Sequence, residues 1–220
     1  MKKTAIILGA TGLTGNHILH KLIKDDTYKS IKLFSRSKIE GLPNKVTQFI
    51  GNLLELNQFK KKFIADEVYC CIGTTAKKTP DKNSYKNIDY GIPVNAAILS
   101  KENNIPTFLV ISAMGANIKS NIFYNRIKGE MEHDVLTQKI KNTFIFRPAL
   151  IGGKREEHRF FEKLGLVIFT LIQPIFIGKL KKYKIIDAQN IAQAMLYVAN
   201  NTNSTEVIIT SNKIKKLSLK

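Results

Sequence analysis

The chain has 220 residues, 44% of them hydrophobic, which is enough for one domain with a sizeable core. Its net charge of +18 raises the question of nucleic-acid binding, yet only five of the 35 basic residues are arginine and the lysines are scattered. Nucleic-acid surfaces usually combine arginine with aromatic side chains. We therefore expect a solvated lysine surface that attracts anionic substrates or cofactors, and no nucleic-acid partner.

Cysteine content and hydropathy argue against a metal-binding protein and against a membrane-spanning one. Cys70 and Cys71 are adjacent, so on a strand they point to opposite faces, and no metal-ligand spacing surrounds them. We expect reduced cysteines, a cytoplasmic protein and no metal site. The longest apolar stretch, residues 164–177, is too short to span a bilayer, so no membrane partner is expected. It is predicted to be a buried helix, with one wall of a substrate pocket as the alternative.

The first predicted strand, residues 4–8, runs into Gly9, Gly12 and Gly15, and a helix signal follows over residues 16–24. A strand that enters a glycine-rich turn and then a helix is typical of dinucleotide binding. Gly9 would allow a sharp turn, Gly12 a close approach of a pyrophosphate, and Gly15 close packing of the helix. An ordinary tight turn is the alternative, but the position after the first strand favours a nucleotide at the helix N-terminus.

Strand and helix signals alternate along the rest of the chain. Strands are predicted over residues 31–35, 46–50, 67–72, 107–111, 143–147 and 207–210. Helices are predicted over residues 54–63, 93–103, 124–138, 160–177 and, after Asp187, up to residue 199. This alternation predicts an α/β fold with a doubly wound parallel sheet. Residues 1–220 would form a single domain with a short C-terminal extension on the substrate side.

In such a sheet, ligands bind outside the carboxyl ends of the strands. The end of the second strand selects the nucleotide, because an acidic residue there accepts hydrogen bonds from the ribose hydroxyls of NAD. Here the segment is Ser35-Arg36-Ser37 and contains no acid. Arg36 could hold a 2′-phosphate, with Ser35 and Ser37 as further donors. We therefore predict NADP(H) as the cofactor, the alternative being that Arg36 is an ordinary surface cation.

Tyr124 and Lys128 are four residues apart on a predicted helix and so share one face. The same spacing occurs at Tyr28 and Lys32, but only Tyr124 follows closely after a residue, Ser112, at the carboxyl end of a predicted strand. An ammonium and a cationic nicotinamide would lower the pKa of the phenol. Tyr124 would then exchange a proton with a substrate oxygen oriented by Ser112, and Lys128 would bind the nicotinamide ribose. A half-buried tyrosine on an amphipathic helix is the alternative.

Five segments together resemble an atypical short-chain dehydrogenase/reductase, of the small branch typified by the Tat-interacting oxidoreductase-like proteins. They are ILGATGLTG, FSR, YCCIGTT, ISAMGANIKSNIFYNRIKGEMEHDV and FRPALIGG. The resemblance implies a Rossmann fold with NADPH across the strand ends and Ser112, Tyr124 and Lys128 as the catalytic trio. It also assigns the cofactor contacts. The adenosine and phosphates would contact Gly9, Thr11, Gly12, Leu13, Thr14, Gly15 and Arg36. The adenine would be flanked by Asn52 and Leu53. The ribose and nicotinamide would contact Ile72, Gly73, Thr74, Thr75, Pro148 and Ala149.

The leading hypothesis is an NADP(H)-dependent oxidoreductase that transfers hydride to or from a small carbonyl or alcohol, with Tyr124 as the acid or base. The alternative is a non-catalytic, redox-sensing regulator that binds NADP(H) and in which Tyr124 and Lys128 only anchor the ribose. The short C-terminal part argues against a nucleotide-sugar substrate. The substrate is thus predicted to be a small molecule, and the oligomeric state stays open.

Overall fold

A computed structural model describes residues 2–152, 185–202 and 206–220 of the chain. The helix predicted over residues 160–177, including the apolar stretch 164–177, lies outside the described residues. The described strands are β1 (Lys3–Leu8), β2 (Tyr28–Ser35), β3 (Val46–Ile50), β4 (Glu67–Cys70), β5 (Thr107–Ile111), β6 (Asn142–Arg147), β7 (Ile151–Gly152), β8 (Ile186–Asp187) and β9 (Ile208–Thr210).

Seven of these strands form one sheet in the order β3-β2-β1-β4-β5-β6-β9, and every neighbouring pair runs parallel. The two short strands β7 and β8 pair with each other, also in parallel. The central strands β4 and β5 are buried along their whole length, as expected for a sheet covered on both faces. The predicted doubly wound α/β fold is confirmed.

The described helices are α1 (Leu13–Lys24), α2 (Lys82–Lys86), α3 (Ile92–Glu102), α4 (Phe123–Thr137), α5 (Ala188–Asn200) and α6 (Ser211–Leu217). A 3-10 helix covers Leu53–Lys62, and a π-helical turn, Asn87–Gly91, joins α2 to α3. On one face of the sheet, α1 packs against α5 and α5 against α6; on the other, α3 packs against α4 and the 3-10 helix. No described helix is long and apolar enough to cross a membrane.

Most predicted elements lie within a few residues of the observed ones, and Asp187 caps α5 by accepting a hydrogen bond from the Gln189 amide at 2.8 Å. One boundary is wrong in a way that affects the site. The helix predicted to begin at Pro93 extends back through the π turn to Lys82. Proline is tolerated there because it occupies the first turn of α3. The helix α6 and the strand pair β7–β8 were not predicted.

The second tyrosine–lysine pair lies away from the carboxyl edge of the sheet. Tyr28 begins β2, and its hydroxyl donates to the buried carboxylate of Glu67, which begins β4, at 2.8 Å. The Lys32 ammonium donates to the main-chain oxygens of Lys62 and Ile64. Both residues sit on a strand and have structural partners, so position does separate this pair from Tyr124 and Lys128.

Candidate functional site

The turn after β1 is built so that only glycine fits at two positions. Gly9 has a positive φ of 85°, and a Cβ there would lie 2.8 Å from the main-chain oxygen of Cys71. A Cβ on Gly15 would lie 2.2 Å from the main-chain oxygen of Gly9. The first turn of α1 therefore packs directly on the turn that precedes it. The sharp turn at Gly9 and the close packing of the helix at Gly15 agree with the predicted roles. The surface on which α1 packs at Gly15 is the turn itself.

The N-terminus of α1 is open at Gly12, its N-cap residue. No side chain caps the helix, its first turn has no acidic residue, and a Cβ on Gly12 would meet only the Gly9 oxygen, at 3.3 Å. The first amides of a helix have no acceptor within it, and they lie at the positive end of its dipole. Thr11 is exposed and Thr14 is buried, so Thr14 can face a ligand mainly through its amide. These features fit a phosphate group.

At the end of β2, Arg36 is exposed and forms no ion pair with any residue that the structure describes. Ser37 is exposed beside it. Ser35 is buried, and its hydroxyl donates to the main-chain oxygen of Ser37 at 2.7 Å. The prediction that Ser35 donates to a phosphate is therefore wrong in this conformation, because its proton already serves the turn. Arg36 and Ser37 keep their donors available.

The two residues predicted to flank the adenine have structural roles of their own. The Asn52 side chain caps the 3-10 helix, accepting from the Leu54 amide at 3.1 Å and donating to Glu55 at 2.9 Å. Leu53 is buried in the core cluster that contains Phe34. The Leu53 side chain is thus turned into the core, and only its main chain and the exposed Asn52 remain for contact with a ligand.

The loop after β4 lies beside the glycine turn. The Cys71 amide donates to the Leu8 oxygen at 2.9 Å, which places the residues that follow, Ile72 and Gly73, at the carboxyl edge of the sheet. Ile72 is partly buried, and Gly73 and Thr75 are exposed. The Thr74 amide donates to the Asp89 carboxylate at 2.7 Å. The loop is therefore fixed at Thr74 by a residue of the π turn. Cys70 and Cys71 are free thiols, as expected.

Lys128 lies on α4 with its side chain 4% exposed, and its ammonium is 2.8 Å from the Asp89 carboxylate, which is 1% exposed. Asp89 is a site residue that the sequence analysis missed. Its position depends on the π turn, a segment for which the sequence analysis predicts no element. One signal was available: Asp81 caps α2 by accepting from the Ser84 amide at 2.6 Å, and an aspartate before a polar segment is a typical helix start.

The protein's own groups do not lower the pKa of Tyr124 below its ordinary value. Partial burial raises the pKa, Lys128 lowers it and Asp89 raises it again, with a net increase. For Lys128, burial lowers the pKa, but Asp89 and then Tyr124 outweigh it, so the pKa lies above its ordinary value. Lys128 is therefore a charged ammonium whose effect on Tyr124 is partly offset by its own counterion.

Ser112 follows β5 at the same edge of the sheet. It is 3% exposed, its amide donates to the Phe146 oxygen at 2.7 Å, and its hydroxyl has no hydrogen-bond partner among the described residues. A buried hydroxyl without a partner is unfavourable unless a ligand or water satisfies it. The neighbouring loop brings in Pro148, which is buried and accepts from the Met114 amide at 3.0 Å, and the partly buried Ala149.

A cavity of about 390 Å³ adjoins Tyr124. Its walls include the rings of Tyr85, Phe123 and Tyr124, with Tyr85 edge-on to Phe123 at 5.7 Å and to Tyr124 at 6.4 Å between centroids. Thr74 and Thr75 line the side toward the β4 loop. Tyr124 is 40% exposed and reaches this cavity from the start of α4. The cavity thus brings together the predicted cofactor loop and the predicted acid.

Comparison with curated proteins finds relatives over nearly the whole chain. The protein FMP52 of Meyerozyma guilliermondii, named mitochondrial, is 30% identical over 225 residues, which cover 96% of this chain and 94% of that protein. The protein HTATIP2 of Rattus norvegicus is 29% identical over 171 residues, covering 76% of this chain and 70% of that protein. No protein-family profile matches the chain.

Solved structures share the fold at low sequence identity. The UDP-glucose 4-epimerase of Thermotoga maritima, solved with UDP-glucose, has a TM-score of 0.72 at 16% identity, covering 98% of this chain and 81% of that one. The Bordetella bronchiseptica enzyme WbmH, solved with NAD+, has a TM-score of 0.69 at 17% identity, covering 91% and 73%. These likenesses establish the Rossmann fold.

The predicted cytoplasmic location is wrong. Several of the matching fungal relatives, from Meyerozyma guilliermondii, Candida glabrata and Debaryomyces hansenii, are named mitochondrial proteins. The prediction had relied on reduced cysteines and on the shortness of the apolar stretches, and a reducing environment is not confined to the cytoplasm.

Proposed function

The chain belongs to the NAD(P)-binding, atypical short-chain dehydrogenase/reductase family of the FMP52 and HTATIP2 proteins, and we propose that it is an NADP(H)-dependent oxidoreductase of small carbonyl or alcohol compounds. One observation carries the proposal most directly: Tyr124 borders a cavity at the carboxyl edge of the sheet while interacting electrostatically with the buried ammonium of Lys128. A proton donor beside a cavity that can hold the substrate is what carbonyl chemistry requires.

The residues present fit a phosphorylated dinucleotide. The open N-terminus of α1 at Gly12 suits the pyrophosphate, and the buried, unpartnered hydroxyl of Ser112 suits a polar group at the other end of the site. Arg36 is proposed to bind the 2′-phosphate, since the end of β2 has no acidic side chain to repel it. The remaining contacts are those implied by the family resemblance, with Ser35 and the Leu53 side chain removed.

The proposed chemistry assigns one role to each member of the trio. When bound, the nicotinamide supplies or accepts the hydride. Tyr124 gives a proton to the substrate's carbonyl oxygen in reduction, or takes it from the alcohol in oxidation. Ser112 donates a hydrogen bond to the same oxygen, which satisfies its buried hydroxyl. Lys128 holds the ribose and stabilises the tyrosinate left behind.

The cavity supports a small substrate with an apolar body. Aromatic rings form much of its wall, and its volume of about 390 Å³ is near the lower end for small-molecule sites. Lys82 is the cation among the described residues of its lining, and its ammonium lies 5.8 Å over the Phe123 ring.

The test compares wild type with Tyr124→Phe on a panel of small aldehydes and ketones, following NADPH consumption and, separately, NADPH binding by fluorescence. We expect turnover to fall at least about 100-fold in the variant while NADPH affinity stays within about twofold. Tyr197→Phe, on the distant helix α5, is the matched control and should behave as wild type.

A regulator that only binds NADP(H) is the second candidate. It is favoured by one observation: Lys128 is already paired with Asp89, so less of its charge acts on Tyr124. Tight NADPH binding with no turnover on any compound of the panel would decide for the regulator and against the enzyme. Equal turnover in Tyr124→Phe would remove Tyr124 as the acid.

A further inference from the structure

The Asp89 carboxylate joins two parts of the site that are far apart in sequence. One oxygen is 2.8 Å from the Lys128 ammonium on α4, and the other accepts from the Thr74 amide at 2.7 Å. Thr74 belongs to the loop proposed to lie along the cofactor, and Lys128 is the proposed ribose ligand. Both of Asp89's oxygens are thus engaged, each by a group proposed to touch the same bound molecule.

The local backbone is shaped to deliver this carboxylate. Asp89 sits in the π-helical turn Asn87–Gly91, between the regular segments α2 and α3. A π turn inserts an extra residue, which rotates the helix faces before and after it, and such turns are frequent at functional sites. Its residues also pack against α4, the helix that carries Lys128. Asp89 is 1% exposed as a result.

Stability alone is a weak reason for this pair. A buried ion pair can often be replaced by apolar side chains with no loss of stability, because both charges lose their hydration. Lys128 and Asp89 are almost fully buried, whereas in the Arg147–Glu132 pair, a turn further along α4, the arginine side chain is 27% exposed. The Arg147 guanidinium therefore keeps some contact with water, while the Lys128 ammonium depends on Asp89.

We propose that Asp89 is the positioning residue for Lys128: its carboxylate keeps the buried ammonium protonated and fixed in place, and ties it to the main chain of the cofactor loop at Thr74. This inference rests on the proposed function for the role of Lys128 as a ribose ligand, whereas the Lys128–Asp89 ion pair does not depend on that function. Asp89 would act only through Lys128 and Thr74 and would not touch the substrate.

The sign of the effect follows from the groups around Lys128. Burial lowers its pKa, whereas Asp89 raises it most, followed by Tyr124 on α4 and Cys70 on β4. Among the described residues, Tyr85 on α2 is the other titratable side chain near this pair, and its own pKa is raised by burial and by Asp89. Without the Asp89 carboxylate, burial dominates and the pKa of Lys128 falls. The ammonium is then lost at a lower pH than in wild type.

The test uses Asp89→Asn in the full chain, because an asparagine oxygen can still accept from the Thr74 amide. First, Lys128 is titrated by NMR without cofactor, its signal identified by its absence in Lys128→Met. We expect its pKa to fall by at least about one unit relative to wild type, a tenfold change in the ionisation constant. Glu132→Gln, which breaks the other ion pair on α4, is the control and should leave the Lys128 titration where it is.

Second, NADPH affinity is measured against pH. In Asp89→Asn the affinity should decline at least about tenfold as Lys128 deprotonates, and this decline should occur at a lower pH than in wild type. The double variant Asp89→Asn/Lys128→Met removes both charges and so leaves no unpaired buried ammonium. It can therefore be measured even if the single variant does not fold. It should bind NADPH weakly, with no such pH dependence.

Different results separate this inference from the proposed function. An unchanged Lys128 titration in Asp89→Asn would overturn the role of Asp89. NADPH binding by the double variant equal to wild type would overturn the proposed role of Lys128 as a cofactor ligand. A lowered Lys128 pKa and pH-dependent NADPH binding, together with no turnover in wild type, would support Asp89 as the positioning residue and reject the enzyme.

Discussion

Gly12 and Gly15 lie three residues apart, yet replacing each with alanine should produce different defects. At Gly15 a Cβ would lie 2.2 Å from the Gly9 oxygen and 2.8 Å from its carbonyl carbon. Those are main-chain atoms that cannot swing away, so the start of α1 has to move. Overpacking of this kind costs about 1–3 kcal/mol, and at this chain length we expect Tm to fall by roughly 3–10 °C.

At Gly12 the added methyl group would make one tight contact but no severe clash. Its nearest neighbour would be the Gly9 oxygen at 3.3 Å, and nothing else lies within 4 Å. Losing glycine as the N-cap residue costs well under about 1 kcal/mol, which corresponds to a Tm change of about 3 °C or less. The methyl group would instead occupy the space in front of the first amides of α1. We therefore expect Gly12→Ala to remain folded and to lose at least about tenfold in NADPH affinity.

Circular dichroism melting and NADPH fluorescence titration of both variants check this difference. Gly41→Ala is an instructive third variant: no atom lies within 4 Å of its Cβ, but φ is +72°, so it reports backbone strain without a clash. It should lose some stability and keep its NADPH affinity. If Gly12→Ala binds NADPH as wild type does, or loses as much stability as Gly15→Ala, the assignment of this turn to the pyrophosphate is refuted.

Two further predictions concern ion pairs and charge at other positions. Arg36→Glu should weaken NADPH binding by about 10- to 100-fold, because a charge-assisted hydrogen bond is lost, while NADH binding changes little. The control is Lys38→Glu, an equal charge change at an exposed neighbour, which should not alter the ratio of the NADPH and NADH affinities. Glu132→Gln should lower the free energy of unfolding, measured by urea denaturation, by about 2 kcal/mol. The loss is smaller than for a fully buried ion pair because Arg147 is partly exposed. A change below about 0.5 kcal/mol would contradict this prediction.

The glycine turn and the sheet could be predicted because their signals are local. Gly9, Gly12 and Gly15 directly follow an apolar strand, and the helix begins at once. The strands of the sheet are short apolar runs, so their number and parallel direction follow from alternation with helices. Ser112 could be placed at the sheet edge for the same reason. Its lack of a hydrogen-bond partner could not be foreseen, since that depends on the packing around it.

Asp89 could not be predicted because its role depends on three features of the fold that involve residues far apart in sequence. Nothing in the local pattern shows that the helix before Pro93 contains a π turn, that this turn packs on α4, or that Lys128 is buried there. The sequence spacing of Tyr124 and Lys128 suggested an ammonium acting on a phenol, with no indication of a counterion. A lysine that is almost fully buried needs a counterion, and that requirement could have prompted a search for an acidic residue.

The buried pair changes how the charge on Tyr124 should be understood. A lone ammonium would favour the tyrosinate, whereas the Lys128–Asp89 pair carries no net charge and partial burial favours the protonated phenol. Under the proposed function, Tyr124 is therefore an acid by default, which suits protonation of a carbonyl oxygen. It becomes an effective base only when a further positive charge is close, as beside an oxidised nicotinamide ring. The protonation state of Tyr124 would then follow the redox state of the cofactor, because burial keeps the phenol protonated and Asp89 offsets part of the Lys128 charge.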